Sequence, residues 1–143
     1  MSRNEVIAFL NQGTQTAKVS TINRNGTCHV VPVWFVLDGD NDNDIIFTTG
    51  HESIKAKHLR QDNRVTICVD DQVRPFSFVT IYGTAVVTEE EQQKLLKWTT
   101  KIAERYMGKD NAERYGKRNA VQGELLVRVK STKIIAKKNI ADF

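Results

Sequence analysis

Short apolar runs, each closed by a turn signal, recur at 8 to 15 residue spacing from Thr16 to Ala136. Roughly six or seven such runs joined mostly by tight turns argue for an antiparallel β architecture, and for a barrel that hides its strand edges. Thr16 to Ile22 alternates Ala17, Val19 and Thr21 with Lys18 and Ser20, the pattern of a half-buried strand. Asn23-Arg24-Asn25-Gly26 then turns the chain, its Asn-Gly pair being a strong hairpin signal. Cys28 to Leu37 is apolar on both faces, which predicts a central or doubly covered strand. Pro32 conflicts with full pairing there, since it cannot donate to the ladder. A bulge, or a ligand lying against the backbone, would resolve the conflict.

The polar stretch Asp38 to Asp44 leads into a further apolar run, Ile45 to Thr49. Asn63 to Asp70 and Phe76 to Thr88 read as two more strands, the second interrupted by Gly83. A glycine in mid-strand marks a bulge, a barrel bend, or the close approach of a ligand or another backbone. Gly123 to Lys130 alternates Leu125, Val127 and Val129, and Thr132 to Ala136 reads as a last short strand.

Helices punctuate this pattern. Ser2-Arg3-Asn4-Glu5 is a capping box ahead of Val6, Ile7, Phe9 and Leu10, with Gly13 placed to stop the helix. A second helix is predicted at about 53 to 61, crossing between strands. Thr88 is the expected cap of a third, whose stripe is Leu95, Trp98, Ile102 and Tyr106 and whose end is Gly108. Asp110 opens a short fourth helix through Tyr115. The expectation is one mainly β domain of α+β type over residues 1–143, with a short crossover helix and two outer helices.

No apolar run approaches the roughly 18 residues of a membrane span, and the N-terminus lacks a signal-peptide apolar core, so a cytoplasmic protein without membrane contact is expected. Cys28 and Cys68 sit in strand-like runs without metal-type spacing and read as buried free thiols. The net charge of +4 is uneven: residues 1–93 sum to −4 and residues 94–143 to +8. A basic C-terminal third suits a solvated face, an anionic cofactor tail or nucleic acid. Its aromatics, Trp98, Tyr106 and Tyr115, are at helical spacing rather than on a strand platform. Nucleic acid is therefore not an expected partner, and salt-dependent binding is the observation that would restore it.

Candidate chemistry is sparse. Asp38-Gly39-Asp40-Asn41-Asp42 opens like a calcium loop, but Asn43 stands where that pattern needs Gly and Thr49 where it needs Glu. His29, His51 and His58 have no Cys or carboxylate at ligand spacing, so no metal site is expected. No nucleophile elbow, P-loop or dinucleotide fingerprint occurs. An enzyme built this way would take its chemistry from a cofactor. The one pointer is the segment from Gly50 to Arg60, where Ser53 and Lys55 open a helix. Unpaired N–H groups and a partial positive charge at a helix start make a phosphate seat; the other reading of the same residues is a plain Ser53 N-cap beside solvated Lys55 and Lys57.

Five blocks taken together sharpen that pointer: Val31-Pro32-Val33-Trp34-Phe35, Phe47-Thr48-Thr49, Ser53-Ile54-Lys55-Ala56, Leu59 to Val65, and Val79 to Thr84. In order and spacing they resemble the pyridoxamine 5′-phosphate oxidase-like flavoproteins, whose fold is a split β-barrel. The Pro-Val-Trp-Phe variant looks closest to a small subgroup that uses FMN or the deazaflavin coenzyme F-420. The resemblance implies a homodimer with a cofactor at each subunit interface. It implies Val31, Pro32, Val33 and Trp34 along the flavin ring, and Phe47, Thr48 and Thr49 at the ring edge and ribityl chain. Ser53 and Lys55, with Lys57 nearby, would hold the phosphate. Phe78, Tyr82 and Gly83 would border the pocket or reach it from the facing subunit. Interface burial of Trp34 or Trp98 is expected.

Two departures qualify the likeness. Ile54 stands where many members carry an Arg, leaving His51, Lys57 or Arg60 to replace it, and Phe78 stands where true oxidases carry a Gln that meets the flavin. The chain also stops at Asp142-Phe143 without the vitamin-binding extension. What the resemblance implies is an FMN- or F-420-dependent oxidoreductase that passes a hydride to or from a small organic substrate, with vitamin B6 oxidation disfavoured. No catalytic acid or base is indicated. A flavin- or haem-binding sensor, carrier or stress protein without turnover is the alternative.

Overall fold

In the computed structural model, which describes residues 1–143, the apolar runs become seven strands: β1 (Ala17–Ile22), β2 (Cys28–Val33), β3 (Val36–Asp38), β4 (Asp44–Gly50), β5 (Arg64–Asp70), β6 (Phe78–Thr88) and β7 (Glu124–Lys137). All pair antiparallel in one sheet of order β2-β1-β5-β6-β7-β4-β3. The two end strands, β2 and β3, are consecutive in sequence and joined only by Trp34 and Phe35. The sheet therefore curls until its two edges meet across that link, giving the expected split antiparallel barrel. Phe35 closes the seam from inside, fully buried in the main core cluster.

This topology corrects the reading of residues 28 to 37. They form two strands at the two edges of the sheet, and β2 shows only half-buried and exposed side chains. Pro32 is accommodated without a bulge because an edge strand leaves one side of its backbone unpaired. Cys28, expected inside, is exposed, and both cysteines are free thiols. The predicted separate last strand is the far half of β7, which bends at a register shift opposite Tyr82 and Gly83. Two readings of Gly83 hold together: the register shift beside it is a bulge, and another backbone approaches closely, since an added Cβ would run into the Lys130 carbonyl of the neighbouring strand.

Inward residues follow the expected alternation, Ala17, Val19 and Thr21 on β1 and Val65, Ile67 and Val69 on β5. Each fully buried Val, Ile or Phe contributes roughly 1.5–3 kcal/mol. Two helices plug the ends of the barrel. Helix α1 (Arg3–Leu10) carries the predicted Ser2–Glu5 capping box and puts Val6, Phe9 and Leu10 into the core. At the other end α2 (Ile54–Gln61) inserts Leu59 into the same core, while its His58 meets Thr21 at 2.9 Å.

Helix α3 (Gln92–Met107) covers the outside of β4 and β7, where Trp98 packs with Ile46 and Leu126. Its N-cap is Glu91 rather than Thr88; the Thr88 hydroxyl instead donates to Glu90 at 2.9 Å. A 3-10 turn at Lys109–Asn111 precedes α4 (Ala112–Asn119), so the fourth helix starts later and runs further than Asp110 to Tyr115. Trp98 is buried within the protomer, which leaves Trp34 as the tryptophan free to meet another molecule. No helix is long and apolar enough to cross a membrane.

Candidate functional site

Strand β4 ends at Gly50, and four residues later the chain turns into α2. Ser53 is the N-cap: its Oγ accepts from the Ala56 N–H at 3.1 Å and lies 2.8 Å from the Thr49 hydroxyl. The Ser53 carbonyl accepts the first helical bond, from Lys57 N–H at 3.1 Å. The amides of Ile54 and Lys55 have no acceptor within the chain and stay open, as first-turn amides do. Lys55 is half-buried beside them, and desolvation holds its ammonium pKa below the usual lysine value. Two open N–H groups, a hydroxyl fixed at both ends and a partly desolvated cation form a seat for a small anion.

A second element completes the seat. The chain enters β7 through Gly123, whose φ of +89° is left-handed and whose added Cβ would stand 2.5 Å from His51 Nδ1. That close approach lets the His51 N–H donate to the Gly123 carbonyl at 2.8 Å, with its ring Nδ1 at 3.1 Å. Glu124 follows, half-buried, with the Thr48 hydroxyl and the Lys55 ammonium as its polar neighbours. Burial raises its carboxyl pKa above the ordinary value, and those two neighbours only partly oppose the rise. A cavity of about 630 Å³ opens beside it, with His51, Glu89, Glu90 and Gln122 among its walls. Nothing in the local sequence marked Glu124, because the pairing Gly50 with Glu124 exists only through the β4–β7 ladder.

Strand parity sorts the other predicted residues. Thr48, Phe78 and Tyr82 point to the outside of the barrel, as does Pro32, which pairs with Lys18 in a row continuing through Cys68 and Thr80 to Ile135. The next row runs Val30, Ser20, Thr66, Tyr82, Lys133. No helix covers this part of the sheet, and Val30, Tyr82, Val86 and Ile135 are exposed on it. Val31 and Val33 face the other way, toward the interior, so Pro32 and Val33 cannot line one surface with their side chains. The Phe47 side chain is fully buried in the core and its backbone is paired with Val127. Thr49 is also interior, engaged by Ser53. Lys57 is exposed, on the solvent side of α2.

Trp34 leaves the strand and stacks on Tyr106 of α3, centroids 5.0 Å apart and planes 4° apart. A larger cavity of about 840 Å³ lies at the opposite end of the barrel, between α1 and Ile45, Ile81 and Val129. No three His, Cys, Asp or Glu side chains come together as a metal-ligand set.

A split barrel with an anion-type seat at the start of its crossover helix is the class these features define. The family model described as pyridoxamine 5′-phosphate oxidase matches residues 3–137, and the chain belongs to that family. Among solved structures, it is similar to a conserved hypothetical protein from Mycobacterium tuberculosis, with 24% identity and a TM-score of 0.82 over 97% of this chain and 86% of that one. An F-420 reductase superposes with a TM-score of 0.67 at 17% identity, over 88% of this chain and 93% of the other. The heme storage protein HutZ from Vibrio cholerae gives 0.72 at 17% identity, over 94% of each chain. At these identities the likeness is one of fold. No curated protein matches the sequence.

Proposed function

We propose that this protein binds a flavin-type cofactor, FMN first and the deazaflavin F-420 as the alternative, and serves as an oxidoreductase for a small organic substrate. The observation that carries this reading is the anion seat: Ser53 held by Thr49, two open amides, and a half-buried Lys55 that carries no contact ion pair of its own. A phosphate monoester suits such a seat, because charge-assisted donors converge on it from one helix start. The ring of the same molecule would lie toward the uncovered outer face that carries Tyr82 and Pro32.

The exposed apolar side chains on that face support a homodimer, in which a second copy would cover the ring and exclude water. When bound, the flavin itself would supply hydride transfer. The chain's contribution is to grip the phosphate, orient the ring and keep its surroundings dry. The excess positive charge of residues 94–143 is the feature that favours F-420, with its acidic tail. Part of that charge is already committed, since Arg128 and Lys130 pair with Asp44, and Arg105 is turned inward onto backbone carbonyls.

A non-catalytic flavin or haem carrier is the second reading. It is favoured by the lack of a carboxylate or imidazole among the strand neighbours of Tyr82 on the outer face, which are Thr66, Thr80, Thr84 and Lys133. The visible spectrum of the purified protein, with mass spectrometry of whatever denaturation releases, tests the cofactor. A flavin or deazaflavin band is expected. A colourless protein that takes up neither FMN nor F-420 on titration overturns the proposal. Steady-state reduction of a quinone or activated alkene with supplied reductant then separates enzyme from carrier.

A further inference from the structure

The anion seat already holds a negative charge of its own. Glu124 sits opposite Gly50 in the β4–β7 ladder, its Oε1 3.9 Å from where a Cβ at position 50 would stand. The preceding residue is clamped to the α2 approach by the two His51–Gly123 contacts, so the carboxylate cannot drift from the helix start. It is half-buried and faces Lys55 from α2 and Thr48 from β4. The ammonium and the carboxylate feel each other, each opposing the effect of burial on its partner.

The other charged groups around it are His51 and Glu52 on the loop before α2, and Glu89 and Glu90 on the segment entering α3. Glu52 lies 3.7 Å from His51, and Glu90 is occupied by the Thr88 hydroxyl and, at 4.0 Å, by Lys94. Glu124 is therefore the acidic group coupled to Lys55.

We propose that Glu124 is an internal rival for Lys55, standing in for a phosphate until a ligand arrives, so that binding a phosphate-bearing ligand protonates or displaces this carboxylate. The inference rests on the phosphate seat proposed above and adds a regulatory residue to it. Engaging Lys55 with the phosphate takes away the attraction that favours the ionised carboxylate, so binding takes up a proton and weakens as pH rises. The ligand's own phosphate titrates in the same interval, with a second pKa of about 6. It is the same in Glu124→Gln, so the difference between the two proteins isolates Glu124.

The experiment is a fluorescence titration of wild type and Glu124→Gln with FMN, and with riboflavin as the ligand lacking a phosphate, between about pH 5 and pH 8. At the alkaline end the variant should bind FMN about tenfold more tightly, the fold-change of one pK unit of coupling, with the curves converging at the acid end. Riboflavin binding should not distinguish the proteins. With Lys55→Ala already present, Glu124→Gln should gain less than about twofold. Equal FMN affinities at every pH overturn the inference while leaving the seat intact, and so does a full gain in the Lys55→Ala background. Failure of both proteins to bind FMN at any pH overturns the FMN reading and the rivalry together. Matching circular dichroism spectra establish that the variant is folded.

Discussion

Trp34 and Tyr106 lie face to face at the seam of the barrel, 5.0 Å between centroids and 4° between planes. The contact joins the link between the two edge strands to the last turn of α3. Tyr106 adds polar fastening: its hydroxyl donates to the Gln15 carbonyl at 2.7 Å and accepts from the Phe35 N–H at 3.2 Å. Burial raises the phenol pKa, so it stays a neutral donor. One residue thus holds both sides of the split.

Tyr106→Phe keeps the stack and strips both backbone groups of their partner. The expected loss is about 1–3 kcal/mol of unfolding free energy, with little change in Trp34 emission. Tyr106→Leu should also shift that emission to the red. Urea unfolding followed by tryptophan fluorescence reads both effects, and an unaltered midpoint in Tyr106→Phe would contradict the assignment.

Arg105 sits beside this seam and spreads its guanidinium over four carbonyls, those of Gly13, Phe35, Leu10 and Gln12, while stacking 4.5 Å over the Phe35 ring. A lysine has the charge without the planar fork. Arg105→Lys should therefore destabilise by about 1–3 kcal/mol, chiefly through the part-buried Phe35 and Leu10 carbonyls left without a partner. A midpoint within error of wild type in guanidinium unfolding would show the fork to be dispensable.

For Lys55→Ala, FMN affinity should fall by about 1–3 kcal/mol, the value of a hydrogen bond to a charged group. Riboflavin affinity should not change. Isothermal titration of both ligands is the measurement, and equal losses for both would place Lys55 at the ring instead of the phosphate.

Folding stability should carry its own signature of Glu124. Its folded pKa is raised, chiefly by desolvation, so the folded protein binds more protons than the unfolded chain between the ordinary carboxylate value and the raised one. Stability from this residue is present below that window and is lost as pH rises through it. Glu124→Gln lacks the titration, so it should gain on wild type from acid toward neutral pH. Parallel stability curves for the two proteins over that range would refute the assignment.

Most of the barrel was legible because strand alternation and turn residues are local: β1, β5, the Asn-Gly turn and the capping box of α1 all lie where their own side chains direct. Residues 28 to 37 misled because an apolar run looks the same whether a strand lies at the centre of a sheet or at an edge. Ser53 and Lys55 were readable as a helix start, since capping depends on residues three apart. Phe47 was readable as apolar, while its place in the core follows from the β4–β7 pairing.

The sequence alone determined the period of most strands, the presence of α1 and α2 and the polar start of α2, all set by backbone preferences over a few residues. Tertiary structure decided which strand lay at an edge, which side of each strand met solvent, and that Glu124 stood against Lys55. Those depend on the register between strands far apart in the chain, where a shift of one residue exchanges inside for outside.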